Sequence, residues 1–265
     1  MTSSFAFGRD GFVSIFKKLH WTSSAVGLGF GLAGCVAPAA IKPATPDPMP
    51  AFFDGAKILF QGDSITDGNR IRGRVDPNHV LGHGYQANIA ARFGADLPER
   101  HLTFINRGIS GNKVSDLARR WSADTLDLKP DLLSILIGVN DLNSGVTAEQ
   151  YEQQYDQLLA GTVKALPNVR LVLAEPFGLP VGPKKANWEK YRADLAVRRA
   201  IVAKLAQKYH AALVRYQAVF DAALARAPAD YWIWDGIHPT FSGHQLMADE
   251  WVRTVRAFWP VAPMK

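Results

Sequence analysis

Lys57-Ile58-Leu59-Phe60-Gln61-Gly62-Asp63-Ser64 sets the pattern on which the rest of the chain is built. A short apolar run, Lys57–Phe60, passes directly into a polar turn. Such a run suits a strand buried on both faces of a parallel sheet, where the alternation of half-exposed strands is lost. Four more runs of this kind follow: Leu102–Ile105, Leu132–Ile137, Val169–Ala174 and Ala212–Val214. Helical stretches fill the gaps: Tyr85–Phe93, Val114–Trp121, Ala148–Leu166, Trp188–Tyr209 and Phe241–Phe258. Val114, Leu117, Ala118 and Trp121 recur at the spacing of one helix face, and Thr147 offers an N-cap to the third stretch. Five strands interleaved with helices predict one α/β domain, a three-layer sandwich with a five-stranded parallel sheet covered on both faces.

Sheets of this kind carry their sites at the C-terminal ends of the strands. Polar chemistry stands just there in this chain. Gln61 to Ser64 follows the first run, Asn106 to Asn112 the second, Gly138-Val139-Asn140-Asp141 the third, and Glu175-Pro176-Phe177 the fourth.

The bulk composition fits a domain with a proper core. The chain has 265 residues, 48% hydrophobic and 20% charged, enough for one large domain. Its net charge of +6 is spread along the helical stretches among acids, with no dense basic run, so no nucleic-acid partner is expected. A single cysteine, Cys35, excludes an intrachain disulfide.

Residues 1–35 do not follow the α/β pattern. Lys17 and Lys18 precede the uncharged stretch from Trp21 to Gly34, which has the composition of an export signal and is too short to span a bilayer stably. It ends in Leu32-Ala33-Gly34-Cys35, which resembles the lipobox of bacterial lipoproteins; the alternatives are a plain signal peptide or an uncleaved anchor. The resemblance implies acylation of Cys35, a membrane tether, and an exported protein of the cell envelope. Val36 after the cysteine resembles outer-membrane sorting. Residues 36–50 hold five prolines and read as an extended spacer. The folded domain is expected over 51–265.

Four blocks decide the chemistry. Ile58 to Gly68, Ser110-Gly111-Asn112, Gly138-Val139-Asn140-Asp141 and Asp235-Gly236-Ile237-His238-Pro239 resemble, in order, the conserved blocks of the GDSL/SGNH hydrolases. Taken singly each has a plainer role: Ser64 as a helix cap, Asn140 or Asp235 as turn residues. Four in order outweigh those roles. The resemblance covers roughly residues 55–255 and implies the flavodoxin-like fold of that superfamily.

The residues themselves point the same way. A serine hydroxyl needs an adjacent base, and His238 can supply one. Asp235, three positions earlier, can fix the imidazole tautomer and stabilise the imidazolium. Pro239 biases His238 toward extended backbone, so the Asp-to-His segment is expected as a loop before the last helix. The resemblance assigns the oxyanion hole to the Ser64 and Gly111 backbone N–H groups and the Asn140 side chain. At Gly111 the missing Cβ would let a substrate oxygen come close. Asp63 and Asp141 read as loop braces.

No Gly-x-Ser-x-Gly elbow surrounds Ser64, and no Walker or dinucleotide-binding loop is present. His79 and His83 are separated from a helical metal pair by Gly82 and Gly84. No metal and no cofactor are expected. Ser110 to Trp121, Lys129 to Ile135, and Trp234-Asp235 with His238-Pro239 resemble the bacterial acetylxylan esterases of the superfamily. That resemblance implies O-deacetylation of a polysaccharide or oligosaccharide. Two alternatives stay open: a lysophospholipase or short-chain lipid or aryl esterase, and an inactive envelope glycan-binding protein. The polar segment Ile71–Gly84 argues against a lipid substrate. Trp234 is the best candidate for a sugar platform, with Trp188, Tyr231, Phe177 and Tyr85 as further aromatics near loops.

Overall fold

The computed structural model describes residues 49–260. The expected signal segment, Cys35 and nearly all of the spacer lie outside the described residues. In chain order the elements are β1 (Lys57–Gly62), α1 (Ser64–Asp67), α2 (Pro77–Val80), α3 (Tyr85–Asp96), β2 (Thr103–Asn106), α4 (Val114–Trp121), β3 (Leu132–Leu136) and α5 (Val139–Asn143). There follow α6 (Ala148–Ala165), β4 (Arg170–Ala174), α7 (Trp188–Lys208), β5 (Ala212–Val214), α8 (Tyr216–Ala223), α9 (Ala229–Trp232) and α10 (Phe241–Phe258).

The five strands form one sheet in the order β2-β1-β3-β4-β5, and every pair is parallel. The expected α/β architecture is therefore present, with the strand order of flavodoxin-like folds. Each strand sends alternate side chains to opposite layers. Ile58, Phe60, Leu132, Leu136 and Val172 join one core with Ile89 and Phe93 of α3, Phe220 of α8 and Trp251 of α10. Leu59, Leu133, Ile135, Leu171 and Leu173 join the other with Leu117 of α4, Leu159 of α6 and Leu205 of α7. Both sets are apolar, which is why the strands read as unbroken runs.

Local signals explain the element ends. Thr147 caps α6 in a reciprocal box: its hydroxyl accepts from Gln150 N–H at 3.2 Å, and Gln150 Oε1 accepts from Thr147 N–H at 3.1 Å. α4 matches its expected bounds, but the chain then continues through a wider turn, Ser122–Leu126, before the third strand. The only polar side chain of β3, Ser134, is buried and accepts from Trp251 Nε1 at 3.0 Å, so its burial leaves no unpaired hydroxyl.

One boundary changes, and packing fixes the depth of two aromatics. Met49, read as spacer, is buried with Ala51 and Phe52, so core packing starts slightly before residue 51. Tyr85 and Phe177, named as aromatics near loops, are fully buried. Phe177 stacks on Phe220 at 4.8 Å and meets Tyr216 edge-on at 5.7 Å, which makes it a core ring.

Candidate active site

The strand order reverses between β1 and β3, and that is where an open α/β sheet leaves a crevice at its C-terminal edge. Ser64 follows β1 and Asn140 follows β3, so both stand at this crevice. The turn carrying Ser64 is tightly built. A Cβ at Gly62 would lie 2.4 Å from Leu136 O and 2.5 Å from Thr66 Oγ1, so only glycine fits there. Asp63 Oδ1 accepts from Ile65 N–H at 3.1 Å and caps the short α1 turn. Gly68, at φ 54°, ends it with its N–H donating to Ser64 O at 3.1 Å.

The loop between α9 and α10 brings Asp235 and His238 to the same place. Ile233 and Pro239 form an isolated antiparallel bridge, and Trp234 N–H donates to His238 O at 3.0 Å. Residues 234–238 thus form a bend before α10, the loop expected there. Ser64 Oγ lies 2.7 Å from His238 Nε2, across 174 positions of chain. His238 Nδ1 lies 2.6 Å from Asp235 Oδ2. Asp235 Oδ1 accepts from the backbone N–H groups of His238 at 2.8 Å and Ile237 at 3.0 Å.

These contacts set the proton positions. A carboxylate can only accept, so in the neutral imidazole Nδ1 carries the proton and Nε2 accepts from the serine. Burial works to raise the Asp235 pKa, but the bonds from the His238 ring and from the two backbone N–H groups outweigh it and hold the carboxyl below its ordinary value. The group is therefore ionised wherever the histidine can act as a base.

Gly111 and Asn140 flank the same crevice. Gly111 sits at φ 80°, a conformation that favours glycine. Among the described residues, its chain neighbours aside, no atom lies within 4 Å of the position its Cβ would take, so backbone conformation rather than crowding selects glycine there. Asn140 Nδ2 donates to Asn112 O at 3.1 Å, which uses one amide hydrogen and leaves the second. Asp141 Oδ1 accepts from Val114 N–H at 3.1 Å and joins α5 to the start of α4.

A buried polar layer supports the site, and sequence reasoning missed most of it. Asn106 Nδ2 donates to Thr66 O at 2.7 Å and Leu81 O at 2.8 Å, while its Oδ1 accepts from Gly108 N–H at 2.8 Å. Gly108 packs on the α1 backbone so closely that a Cβ would lie 2.4 Å from Asp67 N. Asp67 Oδ2 accepts from Ser110 N–H at 3.0 Å. Arg120 donates to Asn112 Oδ1 and to Gln61 Oε1, both at 2.9 Å, fixing the residue whose carbonyl holds Asn140. The only sequence signal was position: Asp67 comes soon after β1, and Asn106 to Asn112 stand at the end of β2 and just beyond it.

Asp63 and Asp141, read as braces, do brace loops, but at an electrostatic cost. Burial pushes Asp63 up to about 7, and nearby Asp141 adds to the shift. Burial pushes Asp141 up to about 6. Among the described residues each keeps one oxygen without a hydrogen-bond partner.

His244 is buried beneath the site. Its Nδ1 accepts from Tyr85 N–H at 3.2 Å, and burial, with His83 and His238 nearby, pushes it down to about 4.

On the outer side Trp234 is 62% exposed, and its ring lies 5.8 Å from His238 at an interplanar angle of 20°. Tyr231 is also exposed, whereas Trp188 packs partly against the core. Lys184 leans on the same loop from the segment before α7. Its Nζ donates to Asn143 Oδ1 at 2.7 Å and lies 4.1 Å above the Tyr191 ring. A Cβ on Gly236 would strike the Lys184 stem. His79 bonds Asp76 and His83 faces Phe241, so these two histidines point to different partners. A groove of about 1060 Å³ along the open side of β5, between α7, α8 and α10, contains none of Ser64, Asp235 and His238.

Residues 60–246 match the model of the GDSL-like lipase/acylhydrolase family. The chain is 31% identical over 219 residues to an acetylxylan esterase of Geobacillus stearothermophilus, covering 77% of this chain and 96% of that protein. A solved structure of the Geobacillus esterase aligns with a TM-score of 0.68 over 77% of this chain and 96% of its own, at 31% identity. A structure from Parabacteroides merdae described as a GDSL-like lipase is 40% identical, with a TM-score of 0.72 over 77% of this chain and 97% of that one.

Proposed function

Because the chain belongs to the GDSL-like lipase/acylhydrolase family and is a carboxylic ester hydrolase, we propose that it removes O-acetyl groups from a polysaccharide or oligosaccharide through an acyl-enzyme on Ser64. The observation that carries this reading is the continuous chain Ser64 Oγ, His238 Nε2, His238 Nδ1, Asp235 Oδ2, with links of 2.7 and 2.6 Å. Solved variants of the Geobacillus esterase described as catalytic mutants replace a serine, an aspartate and a histidine, the last two three positions apart as Asp235 and His238 are. Another of its solved variants replaces the tryptophan that directly precedes the aspartate, the position Trp234 holds here.

Ser64 Oγ attacks the acetyl carbonyl carbon while His238 Nε2 takes its proton. The carbonyl oxygen becomes an oxyanion, for which the Ser64 and Gly111 N–H groups and the free Asn140 amide hydrogen are the donors. His238 then returns the proton to the departing sugar oxygen, leaving acetyl-Ser64. A water activated by His238 releases acetate and restores the hydroxyl. Asp235 keeps the imidazole in the required tautomer in both halves. Trp234 beside His238 offers a flat apolar face to the sugar ring.

The reading also places the domain on a bacterial envelope through acylated Cys35. Its support is the order Lys17-Lys18, Trp21 to Gly34, Cys35 and the proline-rich spacer. Fatty-acid labelling in a bacterial host should mark the full chain and not Cys35→Ser; labelling of both would remove the anchor.

Ser64→Ala should abolish hydrolysis of a short-chain aryl acetate with little change in melting temperature. Retained turnover would exclude Ser64 as nucleophile. Rates on acetylated xylo-oligosaccharides, acetylated pectin fragments and lysophospholipid then test the substrate. Preference for the lipid would overturn the glycan assignment.

A further inference from the structure

The polar segment after the nucleophile turn has no part in the reaction above. It builds, with the end of β2, a cavity of about 160 Å³ lined by four arginines: Arg70, Arg72, Arg74 and Arg107. Arg70 is nearly buried; its Nε donates to Gly108 O at 3.0 Å and lies 3.8 Å from Asp67 Oδ1. Arg72 reaches Asp67 Oδ2 at 3.0 Å, and Arg74 lies 3.9 Å from Asp76 Oδ2, which His79 already engages through the other oxygen. Arg107 lies 3.7 Å from Asp124 Oδ1, and Arg120 takes Asp124 Oδ2 at 2.9 Å. The four cavity-lining arginines thus meet three carboxylates, one of which, Asp124, is shared with Arg120 outside the cavity. Among the described residues the buried Arg107 Nε finds no hydrogen-bond acceptor, and neither does Arg120 Nη2 outside the cavity lining. The side chains of Arg72 and Arg74 are more than half exposed, so each has guanidinium donors left over from a single carboxylate contact.

This cluster is costly without an anion. Burial and the neighbouring cations Arg72 and Arg107 act against the charge on Arg70, opposed by Asp67, and the net effect is a lowered pKa. Guanidinium forks match planar oxyanions such as carboxylates in two-pronged contacts. The cavity also shares its wall with the catalytic site. Asp67, which receives Arg72, ends the one-turn helix that Ser64 begins, and its Oδ2 also accepts from Ser110 N–H beside Gly111. Gly108 O, held by Arg70, belongs to the same strip of backbone.

From these contacts we propose that the arginine-lined cavity binds the carboxylate of an acidic sugar on the glycan whose acetyl group is presented to Ser64. The inference rests on the glycan reading above and deepens it: the substrate is an acetylated, uronate-bearing oligosaccharide. Its recognition should be electrostatic and weaken with salt.

The test separates binding from turnover. The Ser64→Ala protein is titrated calorimetrically with a glucuronate-bearing xylo-oligosaccharide and with an unsubstituted one of equal length. The acidic ligand should bind roughly tenfold more tightly at low ionic strength, the size of one charge-assisted contact. Adding Arg72→Gln and Arg74→Gln, or Arg74→Gln alone if the double variant melts early, should remove or reduce that advantage. Arg74→Gln alone in the active enzyme, which touches only Asp76, should leave aryl acetate hydrolysis unchanged. Equal binding of the two ligands, no binding of either, or an advantage that survives the arginine substitutions overturns the proposal. Tight binding of inorganic phosphate with no gain for the acidic sugar also overturns it. Failure of the glycan reading shows separately, as absence of acetate release from every acetylated oligosaccharide.

Discussion

Asp235→Asn isolates the link between geometry and chemistry in this site. The substitution keeps Oδ1, and with it the two backbone bonds at 2.8 and 3.0 Å that shape the loop. It replaces Oδ2, which lies 2.6 Å from His238 Nδ1, by an amide that donates. His238 must then accept at Nδ1 and carry its proton on Nε2. That proton points at Ser64 Oγ, 2.7 Å away, and the ring can no longer take the serine's own. Loss of one charge-assisted bond costs about 1.5–3 kcal/mol. Holding the wrong tautomer adds the rest, for a total of roughly 10⁴ in kcat, or about 5.5 kcal/mol. The assay is steady-state hydrolysis of p-nitrophenyl acetate, with active-site concentration set by burst titration and folding followed by calorimetry. The melting temperature should stay near that of the wild type. A fall of less than tenfold in kcat would refute the tautomer argument. Asp235→Ala gives the contrast: it also removes both backbone bonds, so it should lower stability by about 1–2 kcal/mol as well as activity.

Asp63→Asn tests the buried carboxyl. Its pKa of about 7 in the folded chain exceeds its ordinary value of 3.8, so the native state holds a proton that the unfolded chain releases. Stability from this group is present at about pH 4 and is lost as pH rises through about 7; the variant's melting-temperature advantage should be small at pH 4 and largest at pH 8, and an equal difference at both would exclude the account. Gly108→Ala would drive a methyl into the backbone of Thr66 and Asp67; thermal unfolding should show a loss of roughly 1–3 kcal/mol, with reduced kcat because the displaced turn carries Ser64. Lys184→Met keeps the stem against Gly236 but removes the Asn143 bond and the charge over Tyr191. About 1–1.5 kcal/mol of restraint on the catalytic loop is lost, expected as a roughly tenfold lower kcat/KM on aryl acetate, with Lys184→Arg intermediate.

Composition and local pattern were sufficient for the α/β class, all five strands and the five long helices. The reason is that burial on both faces of a sheet leaves an apolar run that needs no partner to be recognised. They were insufficient for α1 and α5, of four and five residues, which are too short to repeat a helical face, for α8, whose buried face includes the polar Gln217, and for the depth of Tyr85 and Phe177, since an aromatic next to a turn looks the same whether the turn faces water or a neighbouring helix.

At the site the division is similar. The residue types Ser64, Asp235 and His238 could be named from four ordered blocks, because each chemical role demands a particular side chain. Their meeting could not, since it depends on the strand order β2-β1-β3-β4-β5 carrying two ends of the chain to one edge. The supporting layer of Asn106, Gly108, Asp67 and Arg120, and the four arginines gathered beside it, are decided by tertiary structure alone. Their roles are set by which carbonyl, carboxylate or cation lies within 3 or 4 Å, and that distance is fixed by packing between segments remote in sequence.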